Sequence, residues 1–235
     1  MPAIDGAGAP LCVAIVGAES TGKSVLAHAL ADALAREFGL RCAVVDEYLR
    51  TWCEDQRRTP RVDEQRGIAL EHARRIDAAA SQPEVDVLLG DTTPLMVAVY
   101  SDLLFDDRSL EPVARDCQQR MDLTLLTSLD LPWVADGLQR DGPHVRAPVD
   151  ARVRARLGDW GVTWSVVSGS GDARTAGALD ALRPLLRERG RHERSTGLLS
   201  RLQASREGPP QPRWVCERCD DPLCERHPRP AGRTD

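Results

Sequence analysis

The stretch LCVAIVGAESTGKS, residues 11–24, decides the fold. Residues 11–17 are a short apolar run closed by glycine, which reads as a strand buried on both faces. From Gly17 to Ser24 the chain matches G-x-x-x-x-G-K-[ST], and residues 23–38 then repeat apolar side chains at helical spacing until Gly39 stops them. A buried strand, a glycine-rich turn and a helix in that order form a phosphate-binding loop, because the turn and the helix N-terminus aim backbone N–H groups at an anion. Gly17, Glu19, Ser20, Thr21, Gly22, Lys23 and Ser24 are therefore the candidate nucleotide contacts. Lys23 is expected on the β- and γ-phosphates and Ser24 on Mg²⁺.

One count supports this reading. Of 31 basic side chains 30 are arginine, and the single lysine is Lys23. Whatever bias replaced lysine elsewhere did not act at this position.

Outward from the loop, strand and helix patterns alternate. Apolar runs at 41–46, 85–91, 122–129 and 162–169 read as four further strands, with helices at 47–56, 62–81, 94–104, 110–120 and 172–189. This alternation predicts an α/β P-loop NTPase fold, a parallel five-stranded sheet flanked by helices. The domain is expected over residues 11–190. Within it, residues 131–158 are rich in Pro, Gly, Asp and Arg and are longer than the usual connection, which suggests a functional lid. Residues 191–235 form a cysteine-rich extension, with a short helix expected from 193 to 205.

Asp91 ends the third strand where a Walker B carboxylate would face the metal, so Ser24 and Asp91 are the candidate Mg²⁺ ligands. Asp46 and Glu47 close the second strand, and ligands of open α/β sheets bind beyond the carboxyl ends of the strands. Either can serve as the base that accepts a substrate proton, with Glu47 favoured; helix capping by Asp46 and a dipole contact by Glu47 are the structural alternative. In the lid, Arg140 and Arg146 are candidates to close over phosphate, and Arg152, Arg154 and Arg156 are weaker ones. Trp133 reads as a packing anchor.

Composition narrows the setting. The chain has 235 residues, ample for one domain with an appendage, and a net charge of −5 provides no general field for nucleic acid or an anionic membrane. No apolar run is long enough to span a bilayer, so a cytoplasmic protein is expected. Cys12, Cys42, Cys53 and Cys117 are scattered through core elements as packed thiols. Cys216, Cys219, Cys224 and His227 sit within a dozen residues and form a candidate structural Zn²⁺ site.

GAESTGKS, VDEYLR at 45–50, the DTT of 91–93 and PWVADGLQRDG at 132–142 together resemble the ribosylnicotinamide kinase domain of NadR-type proteins, over roughly residues 11–190. The first motif marks P-loop proteins in general; E-Y-x-R at 47–50 and W-V-x-D-G-L at 133–138 narrow the likeness. The resemblance implies a small-molecule kinase that moves the γ-phosphate of ATP to a nucleoside hydroxyl, nicotinamide riboside or a related nucleoside, and hence a part in NAD biosynthesis. The chain departs from the family at 68–75, IALEHARR, where relatives more often carry a Gly-Gln pair. No H-x-G-H nucleotidyl-transfer pattern precedes the loop, so a kinase unit alone is expected. The rival reading is a regulatory P-loop ATPase, a nucleotide switch whose cysteine-rich tail, with Trp214 and its arginines, recruits a partner or nucleic acid.

Overall fold

A computed structural model describes residues 9–134 and 142–191 of the chain. Its described residues form a five-stranded sheet, β1 (Leu11–Val16), β2 (Cys42–Val45), β3 (Val87–Asp91), β4 (Leu123–Thr127) and β5 (Trp164–Val167), in the order β2-β3-β1-β4-β5. Every pairing is parallel, with Ile15 beside Asp91 on one flank of β1 and beside Leu125 on the other. The expected five strands and their direction are all present, each one to four residues shorter than expected.

The helices are α1 (Lys23–Phe38), α2 (Tyr48–Gln56), α3 (Val62–Ala80), α4 (Pro94–Phe105), α5 (Glu111–Gln119), α6 (Arg146–Asp159) and α7 (Gly171–Glu188). One layer packs α1 and α7 on the sheet, through Leu26, Leu30, Leu34, Leu179, Leu182 and Leu186 against Val13, Ile15, Leu89 and Leu125. The opposite layer packs α3, α4, α5 and α6 through Ile68, Ile76, Leu95, Val97, Ala114, Val153 and Leu157 against Ala14, Val16, Leu88 and Leu126. Helices on both faces are why β1, β3 and β4 read as unbroken apolar runs. Central α4 is buried along most of its length, and Thr93 caps it by accepting from the Leu95 N–H.

The largest departure from expectation is α6. Composition predicts one long connection over residues 131–158, yet 146–159 form a helix whose Val149, Val153 and Leu157 are at most 2% exposed. Those three positions lie at i, i+4 and i+8, a single apolar stripe hidden among arginines. This half of the expected lid belongs to the body of the domain. A 3₁₀ turn, Pro143–Val145, leads into it. The helix expected at 193–205 lies outside the described residues, as does the whole extension beyond 191.

Among the described residues no helix is long and apolar enough to cross a membrane. Cys12, Cys42, Cys53 and Cys117 are all free thiols, and burial raises the pKa of each.

Candidate nucleotide-binding site

Gly17 leaves β1 at φ +147°, and a Cβ there would stand 2.2 Å from Thr127 Oγ1 on the neighbouring strand. Only glycine fits that close approach. Gly22 opens α1 at φ +75°. Between them the loop turns its carbonyls toward protein partners. The Ala18 carbonyl accepts from Thr21 Oγ1 at 2.8 Å and from Lys23 Nζ at 2.9 Å, and the Thr21 carbonyl accepts from Arg174 Nη1 at 2.5 Å. Thr127 Oγ1 lies 2.7 Å from Thr21 Oγ1 and 3.2 Å from the Val16 carbonyl. With those carbonyls engaged, the loop N–H groups are left for an anion, the arrangement of a phosphate nest.

Ser20 adopts φ +57° and bonds both ways with Val134, its hydroxyl donating to the carbonyl at 3.0 Å and accepting from the N–H at 2.8 Å. Leu131 approaches Gly22, its Cδ1 falling 3.0 Å from where a Cβ would be. The segment 131–134 is thus seated on the phosphate loop. Arg146 follows from this placement: it is 8% exposed, and Nη1 donates to the Leu131 carbonyl at 2.9 Å while Nε and Nη2 have no partner among the described residues. A buried guanidinium with unmet donors is costly, and water or an anion can satisfy it.

On the other flank of β1, β2 and β3 bring Lys23, Glu47 and Asp91 together. Burial lowers the Lys23 pKa against the attraction of Glu47 and Asp91, and raises that of Glu47 against Lys23 and Arg50. Burial likewise raises the Asp91 pKa, opposed by a hydrogen bond from Ser24 and by Lys23. Asp91 Oδ1 is buried without a partner. The Glu47 side chain is 15% exposed and pairs with Arg50 at 3.7 Å.

Asp46 stands at the margin of this group, where its charge adds to the rise in the Asp91 pKa. Its side chain is 75% exposed and faces His28 at 3.6 Å, because successive residues leaving a strand point to opposite sides. Arg152 and Arg156 converge on buried Asp102, at 2.9 and 3.0 Å, and Arg156 also holds Glu111. Arg154 pairs with Asp150 at 2.7 Å. These three arginines bind acidic side chains of the α4–α6 layer, which corrects their reading as lid arginines. Tyr48 packs on the core beneath the Arg75 guanidinium, 4.1 Å from the ring centroid. Trp133 is half-buried, and its Nε1 has no partner. Arg140 lies outside the described residues, as do Cys216, Cys219, Cys224 and His227. Among the described residues no group of three or more His, Cys, Asp or Glu side chains is placed to hold a metal ion.

Two residues at this site escaped sequence reasoning. Thr92 sits at φ +70°, buried beside Asp91, with its N–H donating to the Ile15 carbonyl at 3.0 Å. A β-branched residue in the left-handed region is strained, and such strain gathers at functional sites. Nothing in the letters D-T-T announces it. Arg174, on α7, reaches the phosphate loop from more than a hundred residues away.

The fold and the loop define a P-loop nucleotide-binding domain. The sequence profile of an AAA domain family matches residues 12–174, and the chain belongs to that family. No curated protein matches the sequence. Among solved structures, a NadR protein in complex with NAD and AMP-PNP aligns at TM-score 0.61 with 20% identity, covering 74% of this chain and 49% of that one. A NadR protein in complex with NR aligns at 0.61 with 21% identity, over 74% and 50%. Thymidylate kinase from Ehrlichia chaffeensis aligns at 0.53 with 12% identity, over 76% and 100%. The chain spans about half the length of the NadR proteins it matches. At these identities the likeness is one of fold, and it agrees with the resemblance carried by the motifs.

Proposed function

We propose that the chain is an ATP-dependent small-molecule kinase that transfers the γ-phosphate to a nucleoside hydroxyl, with nicotinamide riboside or a related nucleoside as acceptor. The observation that carries this reading is Glu47, a largely buried carboxylate beside Lys23 and Asp91 at the end of β2. A carboxylate held there can take the proton of an attacking hydroxyl, as transfer to an acceptor requires. The fold likeness to NadR and to a thymidylate kinase supports it.

In this reading the phosphates lie on the N–H groups of residues 17–24 and on Lys23. Phosphoryl transfer places attacking and leaving oxygens in line, so acceptor and donor nucleoside stand on opposite sides of the γ-phosphate. Glu47 and Asp91 put the acceptor over β2 and β3, and the donor nucleoside then extends over β4 and β5. Glu47 accepts the proton of the acceptor hydroxyl, which burial favours by making its carboxylate more basic. Arg146 offers its two unmet donors to phosphate oxygens that gain charge during transfer. It does so from the fixed start of α6, so the charge is positioned before substrate arrives.

Ser24 and Asp91 fit Mg²⁺, since the hydroxyl bonds the carboxylate and Oδ1 is buried without a partner, as a hard cation's oxygen ligand would be. When bound, the ion would neutralise phosphate charge.

The test is ATP consumption by purified protein with magnesium across a panel of nucleosides including nicotinamide riboside, with Lys23→Ala beside it. Turnover that needs both Lys23 and one acceptor is the expected result. ATP binding without stimulation by any acceptor would instead favour the nucleotide-switch reading.

A further inference from the structure

Arg174 belongs to none of the sequence motifs, yet it is only 3% exposed and its guanidinium meets three separate loops. Nη1 donates to the Thr21 carbonyl inside the phosphate loop at 2.5 Å. Nη2 donates to Ser128 Oγ at 3.2 Å and Asp130 Oδ1 at 2.5 Å, just beyond β4, and Nε donates to the Gly169 carbonyl at 2.9 Å, just beyond β5. Asp130 closes the ring by accepting from the Gly169 N–H at 2.5 Å.

The bond to Thr21 has a consequence for the loop's chemistry. A trans peptide is planar, with its C=O and the following N–H pointing in opposite directions. Holding the Thr21 carbonyl toward Arg174 therefore holds the Gly22 N–H toward the concave side of the loop, where the phosphates lie. Gly22, at φ +75°, is free of the Cβ that would resist that setting. Without the arginine this peptide can rotate, and the nest loses one of its aligned donors.

We infer that Arg174 is a positioning residue for the phosphate loop, fixing the Thr21–Gly22 peptide and coupling it to the loops that follow β4 and β5. The inference rests on the nucleotide-binding reading of residues 17–24. Only a guanidinium reaches three loops at once: its planar fork presents five N–H donors in fixed directions, whereas an ammonium gathers its donors at one point. Arg174→Lys therefore keeps the charge and removes the geometry, which separates positioning from simple electrostatic attraction.

The experiment measures binding of Mg-AMP-PNP and of Mg-tripolyphosphate by calorimetry, at a temperature where circular dichroism shows each variant folded. Arg174→Lys is expected to weaken both ligands by roughly tenfold, the loss tied to one charge-assisted hydrogen bond. Because tripolyphosphate has no nucleoside, an equal loss on both ligands locates the effect in the phosphate loop. Asp130→Asn leaves Arg174 its bond to Thr21, so it is expected to lower the unfolding temperature with less than a threefold change in affinity. Arg174→Gln serves as the second substitution if the lysine variant does not fold. Wild-type affinity in a folded Arg174 variant overturns the inference, as does an Asp130→Asn loss as large as that of Arg174→Lys. Wild-type protein that binds neither ligand overturns the reading of the loop itself, and this inference with it.

Discussion

The two flanks of β1 are built on opposite principles. Toward β4 and β5, the phosphate loop is braced by protein partners, Thr21 on Thr127 and Ala18, Arg174 on Thr21, Ser128, Asp130 and Gly169, while Arg146 Nε and Nη2 and Trp133 Nε1 beside it have no partner among the described residues. Toward β2, β3 and α3, buried polar atoms stand without partners, among them Asp91 Oδ1, Gln65 Oε1 and both nitrogens of His72. Buried polar groups are nearly always satisfied, so unmet ones mark the places where a ligand, an ion or water completes the structure. The backbone of the phosphate loop is therefore fixed before nucleotide arrives. On the proposed reading the acceptor lies on the other flank, whose unmet atoms are completed by a ligand, an ion or water.

The sharpest way to break this comparison is through the residue that touches both flanks. Lys23 bonds the Ala18 carbonyl of the loop and faces Glu47 and Asp91 on the other side. Lys23→Ala is expected to lower ATP turnover by roughly 10³-fold, the scale of losing a principal transition-state charge contact. Steady-state kinetics check it; turnover within tenfold of wild type would remove the loop from the chemistry altogether.

Glu47→Gln tests the open flank alone. A lost general base costs on the order of 10²-fold in kcat, and the isosteric amide leaves the packing in place. Affinity for Mg-AMP-PNP is expected to stay within about threefold of wild type, since losing only the proton acceptor removes no ground-state phosphate contact. If nucleotide affinity falls as far as kcat does, Glu47 belongs to the donor side and the division between flanks fails.

Thr127→Val tests the braced flank. The change removes the hydroxyl packed against Gly17 and bonded to Thr21 Oγ1, at nearly constant volume. Leaving a buried partner unsatisfied is expected to cost about 1–3 kcal/mol of unfolding free energy in urea. Chemistry with a saturating acceptor should change little, since Thr127 contacts no substrate. A neutral result would mean the threonine pair adds nothing to the rigidity of the loop.

Much of this was legible in the sequence because it is local. Residues 11–24 declare themselves through a short apolar run and two glycines at fixed spacing, and α1 occupies the predicted 23–38 without a shift. Asp91 was readable as the last residue of an apolar strand. What was hidden depends on tertiary contact or on a diluted pattern. Helix α6 shows only three apolar turns among arginines, just after residues whose Gly and Pro suggest a loop. Asp46 and Glu47 are adjacent letters, and only the exit of the chain from β2 sends one outward and the other in. The strain at Thr92 and the reach of Arg174 are properties of three-dimensional placement. A lone arginine among 30 carries no mark in the chain itself.

The smallest expected effect decides how far the open flank extends. His72 is fully buried on α3, and burial together with nearby Arg75 pushes its pKa from 6.5 down to about 4. Its folded-state pKa lies below the unfolded value, so the unfolded chain binds the extra proton first. This group therefore subtracts stability as pH falls from about 6.5 toward 4, by roughly 1 kcal/mol at pH 5.5. His72→Leu keeps a similar volume and removes both the proton site and two unsatisfied nitrogens. Urea unfolding at pH 7.5 and pH 5.5 should show the variant losing about 1 kcal/mol less than wild type across that interval. The acceptor KM should stay unchanged, because a fully enclosed ring meets no substrate. A several-fold rise in acceptor KM would mean that the acceptor reaches α3 as deep as residue 72, and that the unmet imidazole is part of its pocket.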